Sequence, residues 1–185
     1  MSHGHHHGHG HRHGTTGENP VAEHRAQGRR SARCVVITVS DTRDLASDRS
    51  GQRAADLLTE AGHDVRRREI VTDDRAAIEA LVRGAVADPE VDAVILTGGT
   101  GIAARDVTYE AIDGLLEKPL HGFGELFRSL SYAEIGSAAM LSRAVGGVIG
   151  RTAVFALPGS TKAVELGVTR LIAPELGHIV GLLAP

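Results

Sequence analysis

Runs of apolar, β-branched residues without polar alternation constrain this chain most. Cys34-Val-Val-Ile-Thr-Val-Ser40 and Asp92-Ala-Val-Ile-Leu-Thr97 are two such runs, and Val145–Leu157 reads as two more strands around a glycine-rich turn. A strand of this kind is at home only where both of its faces are covered. The segments between follow a different period. Ala54, Leu57, Leu58 and Ala61 fall at i, i+3, i+4 and i+7, as do Ile78, Leu81, Val82 and Ala85. That spacing gives a helix one apolar stripe. Gly62 stands where a helix-ending glycine belongs, and Asp73 or Asp74 can cap the second helix, which ends near Asp88-Pro89. His63–Val71 reads as a further strand, and its basic centre (Arg66, Arg67, Arg68) suits an exposed sheet edge. A helix is expected from about Val107. Strands alternating with helices of this size predict an α/β fold, a three-layer α/β/α sandwich around a mostly parallel sheet.

The rest of the chain is less periodic. Residues 119–142 carry glycines and short apolar clusters (Phe123, Leu126, Phe127, Leu130), which predicts two short helices. Pro158-Gly-Ser160 opens a helix through Leu171, and Pro174 fits the first turn of a last one. No apolar run approaches the ~20 residues of a membrane span, and no secretory pattern opens the chain, so a cytoplasmic protein without membrane contact is expected. One cysteine, Cys34, excludes a disulfide scaffold and an all-cysteine zinc site.

Charge divides the 185 residues in two. Residues 1–33 hold five arginines against two acids, +3, which leaves −6 of the −3 total for residues 34–185. Seven of eleven histidines lie in the first thirteen residues. This tail has too little apolar surface to fold and is expected to be disordered. Its glycine-spaced imidazoles suit either an inert solubilising segment or a weak nickel, zinc or copper binder. The remainder is one domain, without repeat or linker, and its acidic balance argues against nucleic acid as a partner.

Three strand exits draw attention: Thr38-Val-Ser40-Asp41-Thr42, Thr97-Gly98-Gly99-Thr100-Gly101, and Leu157-Pro158-Gly159-Ser160-Thr161-Lys162. In an open α/β sheet, ligands bind beyond the carboxyl ends of the strands. Small and hydroxyl residues there leave backbone N–H groups able to face an anion. Gly99-Thr-Gly101-Ile-Ala-Ala104 matches a dinucleotide pattern, but it follows the third strand and Arg105-Asp106 precede the helix. The Walker pattern and the second glycine of a nucleophile elbow are both absent. Ser160 reads as an N-cap or phosphate ligand. Asp41, Asp73 and Asp106 each follow an exit; any one can be a plain cap. Together they would repel an anion unless Mg²⁺ mediates, since carboxylates with substrate phosphates are that ion's usual surroundings. Lys162 and Arg105 are candidate cations, or ordinary surface charges.

Thr97-Gly-Gly-Thr-Gly-Ile-Ala-Ala-Arg-Asp-Val-Thr108, Gly122-Phe-Gly-Glu-Leu-Phe-Arg128, Ser142-Arg143 and Leu157-Pro-Gly-Ser-Thr-Lys-Ala163 together resemble the molybdenum-cofactor biosynthesis proteins of the MogA/MoaB type, a group that includes the gephyrin G domain. The likeness covers residues 34–183 and has no counterpart for the tail. It implies molybdopterin binding, a homotrimer and, in active members, transfer of the adenylyl group of Mg-ATP to molybdopterin with release of pyrophosphate. By the same resemblance Asp106 and Asp73 are the catalytic and Mg²⁺-binding aspartates. Ser40, Asp41, Thr97, Gly98, Gly99, Thr100, Gly101, Thr108, Pro158, Gly159, Ser160 and Lys162 would line the site for pterin and phosphates. Tyr109 stands where a proline commonly follows the R-D-V-T motif, a change expected to matter only for the pocket wall. A non-catalytic molybdopterin carrier and an oligomeric scaffold are the other readings this fold allows.

Overall fold

The computed structural model describes Met1 and residues 31–184. For residues 2–30 the expected disorder and metal affinity of the tail fall outside that set. Six strands form one sheet in the order β2-β1-β3-β6-β5-β4. They are β1 (Arg33–Val39), β2 (Asp64–Val71), β3 (Ala93–Thr97), β4 (Lys118–Pro119), β5 (Val145–Ile149) and β6 (Thr152–Leu157). β2, β1, β3 and β6 run parallel. β5 returns antiparallel to β6, and β4 pairs antiparallel with β5. The sheet is therefore mostly parallel, and the arginine-rich β2 is an edge strand, as its composition predicts.

Both faces are covered because consecutive strand side chains point oppositely. Cys34 and Val36 join one core cluster with α1 (Arg49–Glu60), α4 (His121–Ile135), α5 (Thr161–Gly167) and α6 (Ala173–Leu183). Val35, Ile37 and Val39 join the other with α2 (Arg75–Ala87) and α3 (Thr108–Asp113). The anticipated stripes Ala54/Leu57/Leu58 and Ile78/Val82/Ala85 are the buried faces of α1 and α2. This is the three-layer α/β/α sandwich.

Two stretches differ from their sequence expectation. Residues 119–142 form a single 15-residue helix, α4, followed by a 3₁₀ turn over Gly136–Leu141, rather than two short helices. Gly122 and Gly124 do not break α4. A Cβ at Gly124 would sit 2.7 Å from the Ala144 carbonyl oxygen, so that glycine marks close packing on the start of β5. The helix from Thr161 does not stop at Leu171. It passes through a π turn, Val168–Ile172, into α6. The run Thr161–Leu183 is long and apolar enough to cross a membrane by length and composition. Its Val164, Val168, Ile172, Leu176 and Val180 are buried in the core.

The chain entry is already fixed at residues 31–33, grouped with the tail by composition. Ala32 is fully buried and its N–H donates to His63 Nδ1 at 3.2 Å, while Arg33 grips Asp92 through Nε and Nη2 at 2.9 and 2.8 Å.

Candidate functional site

The four parallel strands all end on one sheet edge, which is where the predicted residues collect. Ser40 and Asp41 follow β1, Asp73 follows β2, Thr97–Gly101 close β3, and Pro158–Lys162 follow β6. The exits are tied together. Ser40 N–H donates to the Val71 carbonyl at 2.8 Å, Gly98 N–H to the Leu157 carbonyl at 3.1 Å, and the Thr97 hydroxyl to the Pro158 carbonyl at 3.4 Å. Gly98 and Gly99 have φ of 99° and 63°, the left-handed region that glycine enters freely. A Cβ on Gly159 would approach Gly98 Cα to 3.1 Å, so the β3 and β6 loops touch through glycine. Among the described residues, the N–H groups of Gly99, Thr100 and Gly101 have no hydrogen-bond acceptor. Consecutive unpaired N–H groups beside left-handed glycines form a concave anion cradle.

The acids assemble around this loop. Asp74 is the cap of α2: its Oδ1 accepts from Ala77 N–H at 2.8 Å. Its neighbour Asp73 is thereby left for the site. Among the described residues, Asp73 Oδ1 and Thr108 Oγ1 are both buried without a hydrogen-bond partner, and a Cβ on Gly99 would overlap the two. Buried polar groups are nearly always paired, so two unpartnered oxygens at one point fit a place that takes a cation or another polar ligand. Asp73 N–H donates to Asp41 Oδ1 at 2.9 Å, and the Arg105 guanidinium lies 3.7 Å from Asp41 Oδ2. Asp106 Oδ2 accepts from Ala103 N–H at 3.0 Å. Burial holds the Asp73 carboxyl above the usual carboxylate range, helped by the charges of Asp106 and Asp41 against smaller pulls from the Arg105 charge and a hydrogen bond from the Val107 backbone. Asp41, Asp73 and Asp106 thus share one electrostatic site. No group of three or more His, Cys, Asp or Glu among the described residues is placed to hold a metal by itself. A hard cation here would need oxygens from a ligand, as Mg²⁺ commonly does with phosphates. Among the described residues the exposed Lys162 has no ion-pair partner, and the Ser160 hydroxyl caps α5 by accepting from Ala163 N–H at 3.2 Å.

A family model described as "Probable molybdopterin binding domain" matches residues 35–178. The chain belongs to the MogA/MoaB family of molybdenum cofactor biosynthesis proteins. It is 54% identical over 160 residues to Molybdenum cofactor biosynthesis protein B of Bacillus cereus, covering 86% of this chain and 95% of that one. The Bacillus subtilis protein of the same name is 53% identical over 161 residues, with coverage of 86% and 95%. A crystal structure of a Molybdenum cofactor biosynthesis protein B superposes with TM-score 0.81 at 54% identity, covering 83% of this chain and 96% of that one. The tungsten cofactor synthesizing protein MoaB of Pyrococcus furiosus gives 0.73 at 38%, covering 83% and 97%.

As a MogA/MoaB member the protein acts in molybdenum cofactor biosynthesis, and the contacts of two of its polar clusters were not foreseen from sequence. Arg143, visible only as half of a motif, donates through Nε to the Thr100 carbonyl at 3.1 Å and through Nη2 to Glu110 Oε1 at 2.6 Å. Its guanidinium lies 4.6 Å from the centre of the Tyr109 ring, so the residue replacing the family's proline stacks on a partner that touches the glycine loop. Asp48, with its side chain 1% exposed, caps α1 from Gly51 N–H at 2.9 Å, accepts from the Thr38 hydroxyl at 2.8 Å and pairs with Arg68 at 3.0 Å. Burial opposes its ionisation, but the hydrogen bonds from Gly51 and Thr38 and the Arg68 charge hold its carboxyl below the usual range. The Asp48–Gly51 spacing carries an N-cap signal that sequence alone could have used.

Proposed function

We propose that the protein is a molybdopterin adenylyltransferase: with Mg-ATP it transfers AMP to the terminal phosphate of molybdopterin and releases pyrophosphate. The observation that carries this reading is the pair of buried, unpartnered oxygens, Asp73 Oδ1 and Thr108 Oγ1, beside three unpaired backbone N–H groups.

In this reading the glycine loop and the Pro158–Ser160 turn hold the phosphates. A terminal phosphate oxygen of molybdopterin attacks the α-phosphorus of ATP; that P–O bond forms as the bond to the pyrophosphate oxygen breaks. Asp73 and Asp106 would hold Mg²⁺, which when bound neutralises charge developing on the phosphates. Asp41 keeps Asp73 in place through the Asp73 N–H, and Lys162 offsets the charge of the leaving pyrophosphate. The free thiol of Cys34 is buried and pushed up to about 12, chiefly by burial, which keeps it inert. An unpaired buried thiol fits the reducing cytoplasm, where we place the reaction.

The assembly we propose is a homotrimer. Tyr132, Ile135, Met140 and Leu141 are 65%, 54%, 78% and 52% exposed on α4 and the 3₁₀ turn, a cluster of apolar side chains of the kind an interface covers. The test of function is release of pyrophosphate from Mg-ATP by the purified protein with and without molybdopterin. Dependence on molybdopterin is expected; molybdopterin binding without release would make the protein a carrier.

A further inference from the structure

Among the described residues, Arg143 is the one side chain from outside the loop that hydrogen-bonds the Thr97–Gly101 backbone. It stands just before β5, on the far side of β6 from β1 and β2, whereas Asp41 and Asp73 follow β1 and β2. Arg143 Nε donates to the Thr100 carbonyl at 3.1 Å. The peptide plane is rigid and this bond is trans, so the Thr100 C=O and the Gly101 N–H point in opposite directions. A carbonyl turned toward Arg143 therefore turns Gly101 N–H away from the β5 side, where it has no acceptor among the described residues. Arg143 is itself held by the Glu110 carboxylate at 2.6 Å and by the face of Tyr109. Glu110 and Tyr109 belong to α3, whose first residue is Thr108. One guanidinium thus spans the cradle, the helix carrying the orphan hydroxyl, and the antiparallel strand. A planar fork can make those contacts together; an ammonium cannot.

We infer that Arg143 is a positioning residue: it sets the Thr100–Gly101 peptide so that its N–H is free to bind phosphate. This rests on the adenylyl-transfer reading for the identity of the phosphate, but not for its own test. The probe is inorganic pyrophosphate with Mg²⁺, bound to the full chain and followed by calorimetry, together with amide hydrogen exchange over residues 98–104. Arg143→Met is expected to weaken pyrophosphate binding about tenfold and to speed exchange in that segment, while exchange in β1 and β3 is unchanged. Arg143→Lys, which keeps the charge and loses the fork, is expected to recover less than half of the lost affinity on a logarithmic scale. Arg151→Met, at the opposite sheet edge, should bind as the wild type does. If Arg143→Met fails to fold, the lysine variant alone decides, with a loss of at least threefold expected. Wild-type affinity and exchange in the arginine variants overturn the inference, and so does a wild-type protein that does not bind pyrophosphate. A protein that binds pyrophosphate through Arg143 yet never adenylylates molybdopterin would contradict the transferase reading and leave this one standing.

Discussion

Asp73 and Asp74 are neighbours with the same side chain and opposite uses. Asp74 satisfies the first turn of α2, while Asp73 is turned into the site with one oxygen buried and unpaired. Removing the first should cost stability and removing the second should cost chemistry. Asp74→Ala is expected to lose about 1 kcal/mol in urea unfolding with activity retained at low denaturant. Asp106→Asn is expected to lower molybdopterin-dependent pyrophosphate release on the order of a hundredfold, because a cation-holding carboxylate supplies several kcal/mol in the transition state. Wild-type turnover in that variant would remove Asp106 from the site. Gly99 is constrained twice, by a φ of 63° and by overlap of any Cβ with Thr108 and Asp73. Gly99→Ala should therefore lose at least about 1 kcal/mol of stability and the activity together.

At the scale of elements, five of the six strands were legible in the chain, the central ones because parallel strands buried on both faces leave unbroken apolar runs, as in Cys34–Val39; the exposed two-residue β4 and the order of strands in the sheet were not. The exits were legible for a related reason: Gly98, Gly99 and Gly101 serve no strand or helix. What stayed hidden was whatever tertiary contact decides. α4 runs unbroken through Gly122 and Gly124 because burial of Phe123 and Phe127, with Gly124 packed on the start of β5, outweighs the weak helix propensity of glycine, which a local reading cannot weigh. Arg143 lies more than thirty residues from the carbonyl it holds, so no spacing pattern announces it. Asp48 has the same property. Its cap could be read from Gly51, but its pairing with Thr38 and Arg68 could not. Truncating it leaves a buried hydroxyl and a guanidinium unmatched, so Asp48→Ala is expected to cost roughly 3 kcal/mol, seen as a lower urea midpoint.

For the whole molecule, paired carboxylates shape the response to acid. Asp48 and Asp92 are held below the usual range, Asp92 chiefly by the hydrogen bond from Arg33, so the folded state binds their protons less readily than the unfolded chain. Their stabilisation is complete above the unfolded aspartate value of about 3.9 and is lost as pH falls through the folded values below it. Asp73 is shifted the other way and offsets part of that loss. Urea midpoints should fall as the pH drops below about 4, and less steeply in Asp48→Asn. The proposed homotrimer, whose number of subunits rests on the family resemblance, would be a particle of about three times 19.4 kDa by light scattering, reduced toward one chain by Tyr132→Glu if the exposed Tyr132–Leu141 cluster is its interface. The central claim is that the sheet edge transfers a nucleotide and does not merely bind a pterin. The measurement that tests it most directly is pyrophosphate release by the purified protein with Mg-ATP and molybdopterin. Release that requires molybdopterin and disappears in Asp106→Asn is the predicted result. Molybdopterin bound at full occupancy with no pyrophosphate released would contradict it.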